Sequence, residues 1–428
     1  MVPPVQVPSL ATRAMAVLVV VTVLAGCGSS VRGDTSASTN IVAEARENAS
    51  ECPTTVLETV GRVLMRVYHE GVFSERTAAA EHLIQSSKPL VQAVEAHNAG
   101  AARMAARALL ATGHMTDLRV ISGGRTLVKL GAAALAPLNG TLKDAAGAPI
   151  ASYTTSVWSD SGFLSEAKGV TEGLVALREH GHSIGKSLAL APGPLANEGT
   201  IESGGVLYRY SSFPASAYPS GAMRVYVLRA VRSTTGACGA THEATVLNTL
   251  QRVAGLIYAA ETGARRAEQV ERVQHNTALL EAVALRDPLA TQVAIDALLN
   301  QHIVRMRVSD AGGALLSDVG GPYVLAPVTA PLSVGGRTIG SVELSIQDDE
   351  GYLRLAKRLA DLDVLMYMNI NGRSQLVKNS LGPTPGNVPA SGSYSYRGHH
   401  FQVFTVTAQA FPSGPLTIRV LVPNPYLG

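Results

Sequence analysis

Apolar and polar positions follow the same order twice along this chain of 428 residues. In two stretches, roughly 54–112 and 242–301, apolar residues recur with the spacing of amphipathic helices. After each stretch the period changes to two, at Asp117–Ser122 and Val304–Ser309, which is typical of half-buried strands. The pattern therefore predicts long helices followed by strands in each half of the chain.

The two halves also match residue by residue, at a shift that stays near 190 positions. A collinear series of matches of this length indicates an internal duplication, so that one structural unit occurs twice. The matched segments are Val56–Tyr68 with Val246–Tyr258, Ala108–Leu110 with Ala297–Leu299, Ile150–Lys168 with Ile339–Lys357, and Tyr218–Gly221 with Phe411–Gly414.

Each copy continues with a hairpin, because two glycines follow its first strand, at 123–124 and 312–313. Helices followed by such strands predict an α+β fold, with long N-terminal helices packed on one side of an antiparallel sheet. The later elements expected are a third strand at Ala148–Trp158 and Arg337–Gln347, a short helix near 161–170 and 350–360, and strands near 363–370, 373–379, 393–407 and 416–423.

This order of elements resembles that of the extracytoplasmic Cache domains, the PAS-like sensor modules of bacterial receptors. The resemblance covers nearly the whole chain after the first residues. It rests on the element order and on the secretory signal that these first residues form. It implies two tandem modules, at 51–235 and 238–428, whose sheets each cup a small ligand. No family motif for ligand recognition can be matched here, so no binding residue is carried over from the family.

The first residues have the pattern of a secretory signal, with Arg13 followed by the nearly all-apolar run Ala14–Ala25. That run is about a dozen residues long, whereas a helix needs roughly 20 to span a bilayer. It ends in Leu24-Ala25-Gly26-Cys27, which resembles the bacterial lipobox. The alternative is an ordinary signal peptide with a chance cysteine.

The lipobox resemblance implies that residues 1–26 are removed and that Cys27 carries a lipid. Residues 27–50 begin with small polar side chains and are predicted to be a flexible tether. We therefore expect the folded mass to lie on the extracytoplasmic face of the cell membrane, with the bilayer as a partner through the lipid.

The two remaining cysteines, Cys52 and Cys238, each precede the first long helix of their copy. An oxidising compartment favours closure of such a pair, and a disulfide between them is predicted. The alternative is two free, buried thiols.

Composition narrows the range of functions further. Charged residues make up 16% of the chain and the formal net charge is +3, which excludes the dense basic surface of a nucleic-acid-binding protein. Hydrophobic residues make up 46%, which is enough for large cores.

Short motifs with catalytic spacing do not add up to an active site. Ser165-x-x-Lys168 and Ser183-x-x-Lys186 have the spacing of Ser-Lys nucleophiles, but the other motifs of that enzyme class are missing from the sequence. Gly185-Lys186-Ser187 lacks the first glycine of a phosphate-binding loop. We expect no enzymatic activity and no cofactor.

Two histidine pairs, His180-x-His182 and His399-His400, are candidates for metal ligands. Neither pair has an acidic residue or a cysteine at ligand spacing, and neither recurs in the other copy. Exposed turn histidines are the favoured interpretation, and no metal site is expected.

A ligand pocket in a PAS-like cup would lie between the sheet and the loop after its second strand. Arg and Tyr side chains suit a carboxylate or an amino acid there. The alternative, that these are ordinary surface and core residues, stays open. The candidate ligand-binding residues are Arg305, Arg307, Tyr323, Tyr367 and Arg373 in the second copy and Arg119 in the first.

The sequence thus favours a lipid-anchored, extracytoplasmic sensor protein that binds a small organic solute. After the last predicted strand the chain shows no kinase, cyclase or methyl-accepting segment, so a separate membrane receptor is expected to carry the signal. The alternative is a structural envelope lipoprotein that acts as a protein-interaction module without a ligand. That alternative predicts sheet cups that are filled by their own side chains.

Overall fold

The computed structural model describes residues 35–424 apart from short internal segments. Cys27 and Tyr323 lie outside the described residues, as does the expected signal peptide. The internal segments left out are 132–133, 187, 189, 191, 219–220, 234–235, 261–263, 300–302, 322–323, 384 and 412–413.

The first copy follows the predicted order of helices and then strands, and most of its elements are close to the predicted positions. Its helices are α1 (Thr35–His69), α2 (Glu75–Gln85), α3 (Lys88–Glu95), α4 (Ala99–Ala111) and α5 (Asp160–Thr171), with a 3-10 turn at Val231–Ser233. Its strands are β1 (Asp117–Ser122), β2 (Arg125–Gly131), β3 (Ala134–Leu135), β4 (Leu138–Lys143), β5 (Pro149–Ser156), β6 (Trp158–Ser159), β7 (Leu174–Glu179), β8 (His182–Lys186), β9 (Glu198–Ser203), β10 (Val206–Tyr218) and β11 (Gly221–Ala230).

The second copy repeats this order nearly element for element. Its helices are α6 (His242–Ala260), α7 (Ala264–Gln274), α8 (Thr277–Leu285), α9 (Pro288–Leu299) and α10 (Asp349–Ala360). Its strands are β12 (Arg305–Asp310), β13 (Leu315–Gly320), β14 (Val324–Leu325), β15 (Val328–Val334), β16 (Arg337–Ser345), β17 (Asp363–Ile370), β18 (Arg373–Asn379), β19 (Gly392–Tyr396), β20 (His399–Phe411) and β21 (Gly414–Pro423).

Helix α1 begins at Thr35, inside the range 27–50 that the composition predicts to be a tether. The residues from Thr35 onward are therefore helical, and the flexible tether stays a prediction only for 27–34, which lie outside the described residues. In the part of the chain that the structure describes, no helix is both long and apolar enough to cross a bilayer.

Side-chain caps fix where the short helices begin. The Ser159 hydroxyl accepts a hydrogen bond from the Gly162 amide at the start of α5, and Asp348 accepts one from Gly351 at the start of α10. Such caps satisfy amides that have no partner inside the helix. The same turn thus starts the same helix in both copies, with a serine in one and an acid in the other.

Each copy contains two antiparallel sheets, where the sequence predicted one. The smaller sheet has the order β2-β1-β5-β4 in the first copy and β13-β12-β16-β15 in the second. The larger sheet has the order β6-β3-β10-β11-β7-β8 in the first copy, with β9 on β10. It has the order β14-β20-β21-β17-β18 in the second, with β19 on β20. The α+β class and the tandem arrangement are confirmed, but each module is a pair of sheets.

The division into two sheets depends on a two-residue strand. Between two strands of the small sheet, β3 leaves that sheet and pairs with β10 of the large one. The next residue, Ala136, has a φ of 50°, and its counterpart Ala326 has a φ of 51°. This left-handed conformation is unfavourable for alanine, so its presence in both copies shows a shared, strongly determined turn.

The two copies share one hydrophobic core. Helices α1, α5, α6 and α10 pack together, and their buried residues form a single cluster with the inner faces of both large sheets. Within the described residues, three ion pairs cross between the copies at 2.7 Å: Arg252 with Glu172, Arg66 with Asp361, and Arg358 with Glu70. Residues 45–428 accordingly form one compact unit.

The predicted disulfide is confirmed. Cys52 and Cys238 are bonded, with a Cα–Cα distance of 5.6 Å and a sequence separation of 186. The bond joins the first copy, near the beginning of the buried part of α1, to the segment that precedes α6. It therefore closes a loop that contains the first copy from Cys52 onward.

Replacing both Cys52 and Cys238 with alanine is expected to lower the free energy of unfolding by about 3–5 kcal/mol, because the unfolded chain regains loop entropy. Urea unfolding under non-reducing conditions measures the difference. As a control, a reducing agent should destabilise the wild type but leave the double variant unchanged. Equal stability of the oxidised and reduced wild type would contradict the expectation.

Candidate functional site

Two of the candidate ligand residues, Arg305 and Arg307, lie side by side in the structure, and both already bind one aspartate. The two guanidinium groups donate to the Asp318 carboxylate at 2.8 to 3.0 Å. Both also lie over the Phe411 ring, at 4.9 and 5.1 Å from its centroid. Burial alone would raise the pKa of Asp318, but the two arginines outweigh it, and the pKa falls below its usual value.

Arg119 makes the matching contact in the first copy. Its guanidinium donates to the Tyr218 hydroxyl at 3.0 Å and lies 5.9 Å from the ring centroid. Tyr218 and Phe411 are matched residues at the ends of β10 and β20. In both copies, an arginine on the small sheet thus stacks on an aromatic residue of the large sheet. Because the arginine–aromatic contact joins the small and large sheets in both copies, we interpret it as a structural contact between the sheets, not as a ligand site.

Tyr367 and Arg373 lie in the large sheet, away from this joint. Arg373 is exposed at the turn between β17 and β18. Tyr367 lies beneath the Arg419 guanidinium, 4.2 Å from its ring centroid, and Arg419 also donates to the Val388 carbonyl. Among the described candidates, only Arg305 and Arg307 thus share a partner, and Tyr323 lies outside the described residues.

The contact between Tyr367 and Arg419 has a counterpart in the first copy with the residue types exchanged. There Arg178 lies on β7 and Tyr226 on β11, and the Arg178 guanidinium carbon is 6.0 Å from the centroid of the Tyr226 ring. Arg178 donates to the carbonyls of Gly181 and Gly193, as Arg419 does to Val388. In both copies a cation–aromatic pair thus attaches a covering segment to the outer face of the large sheet.

These covering segments, between β8 and β9 and between β18 and β19, fill the outer faces of the large sheets. Leu188, Leu190 and Leu195 of the first segment pack against a cluster that includes Tyr210 and Leu228. In the second copy, the corresponding contacts join Leu381 and Val388 to Leu365, Phe401 and Leu421. The cups expected from the sequence are therefore largely occupied by the protein's own side chains.

A cleft of about 640 Å³ opens beside the second covering segment. We call it the β19–β20 cleft, since the turn between these strands forms one of its walls. The end of α10, the beginning of the covering segment and the end of β21 form the others. It is lined by Lys357, Asp361, Asp363, Ser380, Leu381, Tyr396, Arg397, Gly398, His399, His400, Phe401, Pro423 and Asn424.

The carboxylates of the cleft already have partners. Lys357 Nζ lies 3.0 Å from both Asp361 and Asp363, and Ser380 donates to Asp363 at 2.9 Å. Burial alone would lower the pKa of Lys357, but the two carboxylates outweigh it and raise the pKa. Arg66 of α1 also binds Asp361, so this side of the cleft is connected to the first helix.

The opposite wall presents donors that face solvent. Arg397 and Gly398 form the turn, with φ values of 51° and 81°, and Arg397, His399 and His400 are all exposed. Among the described residues no carboxylate forms an ion pair with Arg397, which stacks on Tyr396 at 5.2 Å. An exposed guanidinium beside imidazoles and an aromatic wall is suited to binding a small anion.

Sequence reasoning considered His399 and His400 only as metal ligands and missed Arg397. Within the described residues no group of three potential metal ligands is found. The available signal was Gly398, between two strands that alternate aromatic and polar residues, since glycine is common in two-residue hairpin turns. That pattern would have divided the range 393–407 into the two observed strands.

A buried acid marks the small sheet of the first copy. Asp117 is only 2% exposed, and neither carboxylate oxygen accepts a hydrogen bond from the described residues. Burial raises the pKa of Asp117 to about 7, and the nearby backbone of Ser156 offsets only part of this. The matched residue in the second copy is Arg305, which has the Asp318 partner that Asp117 lacks.

Comparisons with known proteins give little further information. No protein-family model and no curated protein matches the chain. Two crystal structures of the Vibrio cholerae LuxQ periplasmic domain align with 40% and 42% of this chain and with 97% and 99% of their own. Their sequence identities are 13% and 11%, and their TM-scores 0.29 and 0.26.

A third structure, an extracellular ligand-binding receptor from Desulfohalobium retbaense, aligns over 52% of this chain and 47% of its own, at 11% identity and a TM-score of 0.23. The similar structures thus include a periplasmic domain and an extracellular receptor. At these scores the likeness carries no argument about the activity of this protein.

Replacing Asp117 with asparagine is expected to flatten the pH dependence of stability. Because the folded-state pKa of about 7 exceeds the unfolded value, the folded protein binds the extra proton and loses stability as the pH rises through 7. In the wild type, deprotonation of Asp117 should lower the free energy of unfolding by about 2–3 kcal/mol as the pH rises from 5 to 8.

Urea unfolding of both proteins at the two pH values measures this difference. The matched control is Glu95→Gln, at an exposed acid in the same copy, which should leave the wild-type slope unchanged. An unaltered slope in the Asp117→Asn protein would show that Asp117 is not the group responsible.

Proposed function

We propose that this protein is a lipid-anchored, extracytoplasmic binding protein that captures a small anionic solute in the β19–β20 cleft. It would signal its bound state through a separate membrane receptor, without catalysing a reaction. One observation carries the proposal: the exposed Arg397 guanidinium has no carboxylate partner among the described residues and borders a cleft of about 640 Å³. A cleft of this size suits a small organic acid.

The contacts behind the cleft support a signalling role. Lys357 bridges Asp361 and Asp363, and Asp361 is bound by Arg66 of α1. A solute that moved these groups would therefore act on the helix that follows the expected membrane anchor. The disulfide supports an oxidising, extracytoplasmic location, since such bonds are rare in the cytosol.

A second function, a protein-interaction module without a ligand, is favoured by a different observation. The outer faces of both large sheets are filled by the covering segments, as this alternative predicts. Under it, the β19–β20 cleft would be an ordinary surface depression, and small anions would not bind there with a defined stoichiometry.

Small mono- and dicarboxylates, screened by thermal shift and then titrated by calorimetry, are expected to raise the melting temperature and to bind at one site. Arg397→Ala should weaken that binding by at least about tenfold, because an ion-assisted hydrogen bond is lost. The matched control is Arg373→Ala, at another exposed arginine beside a hairpin turn, which should leave the affinity unchanged.

The outcomes separate the two functions. Saturable binding that depends on Arg397 but not on Arg373 supports solute capture. Absence of binding for every carboxylate tested would remove the cleft as a solute site and leave the interaction module. Binding that depends on neither arginine would place the solute elsewhere.

The anchor is tested at Cys27. Cys27→Ser is expected to block lipid attachment, so that the protein moves from the detergent phase to the aqueous phase on phase partitioning, and metabolic labelling with a fatty acid is lost. The alternative of a chance cysteine predicts the same partitioning and labelling for the wild type and the variant.

A further inference from the structure

Three large apolar side chains lie exposed on one helical hairpin, α8 with α9. Leu285 ends α8, and Leu289 and Val293 lie one turn apart on α9; their exposed fractions are 79%, 73% and 64%. The opposite side of α9, with Thr291, Ala294, Ile295 and Leu298, packs into the core. Clusters of exposed apolar side chains of this kind mark interaction surfaces.

The same hairpin in the first copy, α3 with α4, has a different surface. The positions of Leu289 and Leu285 are taken by Gly100 and Ala96, while Met104 matches Val293 and is 65% exposed. Protruding leucines in the second copy thus correspond to small residues in the first. The exposed faces of α3–α4 and α8–α9 thus belong to equivalent helical hairpins but differ in shape.

The two hairpins also differ in the sign of their charge. Residues 88–111 carry Lys88, Arg103, Arg107 and Glu95, a net charge of +2. Residues 277–299 carry Glu281, Asp287, Asp296 and Arg286, a net charge of −2. We call these the basic hairpin and the acidic hairpin. Arg107 and Asp296 occupy matched positions, so the charge is reversed at the same place on the face.

We propose that the acidic hairpin of one molecule binds the basic hairpin of a second copy of this chain, in a head-to-tail contact. Leu289 would then lie against the small residues around Gly100, with Arg103 and Arg107 facing the acidic side chains. A symmetric contact, between two acidic hairpins or between two basic ones, would instead place like charges opposite each other, which is unfavourable. A head-to-tail contact leaves one hairpin of each sign free, so it extends into a chain or ring of molecules.

Charge reversal tests the pairing directly. Arg103→Glu/Arg107→Glu makes both hairpins of a molecule acidic, and Glu281→Lys/Gln292→Lys makes both basic. In sedimentation of the full chain in nonionic detergent, the wild type should show a mass that rises with concentration. Each variant alone should associate at least about tenfold more weakly, because like charges then face each other.

Mixing the two variants should restore association to within about threefold of the wild type, since an acidic face again meets a basic one. Leu289→Ser should weaken association of the otherwise unchanged chain by about tenfold. Its matched control is Leu315→Ser, at an exposed leucine on β13 outside both hairpins, which should have no effect. Thermal melting confirms that each variant is folded.

Three results would overturn the proposal. The first is a wild type that stays monomeric at every concentration reached. The second is a mixture of the two charge variants that associates no better than either one alone. The third is association that depends on Leu289 but not on Arg103 and Arg107, which would indicate symmetric pairing of two acidic hairpins.

Discussion

The packing of α1, α5, α6 and α10 into one core is the constraint on which the rest of the molecule depends. Each of these helices has an apolar face that its own copy covers only in part. Edge-to-face contacts at matched positions, Tyr68 on Phe163 and Tyr258 on Tyr352, order the helices within each copy. The copies then bury the remaining surface against each other, so this core extends across both copies.

The sequence predicted the periodic parts of this fold accurately, because burial on one face imposes a readable period. Strand β1 occupies Asp117–Ser122 as expected, and the short helices differ from their predicted ranges by only one residue at either end. The second sheet was missed because β3, Ala134–Leu135, is too short to show any period. The solvent-facing side chains of the β19–β20 cleft were missed for a related reason: a side chain that faces solvent leaves no mark on hydrophobic patterning.

The candidate ligand residues illustrate a second limit. Arg305 and Arg307 were named because arginine suits a carboxylate ligand, but whether an arginine is available depends on what lies across the strand, here Asp318. The cation–aromatic pair under each covering segment is more instructive. In one copy the arginine is on the strand nearer the edge, and in the other the tyrosine is. The contact is kept while both residues change, which no residue-by-residue comparison of the copies would reveal.

The bond between Cys52 and Cys238 also decides what a proteolytic cut does to the molecule. A cut anywhere between the two cysteines leaves the pieces covalently joined, and the shared core holds them in place. Such a nicked molecule would keep both copies attached to whatever precedes α1. Residues before Cys52 lie outside this closed loop, so a cut there would separate them from both copies at once.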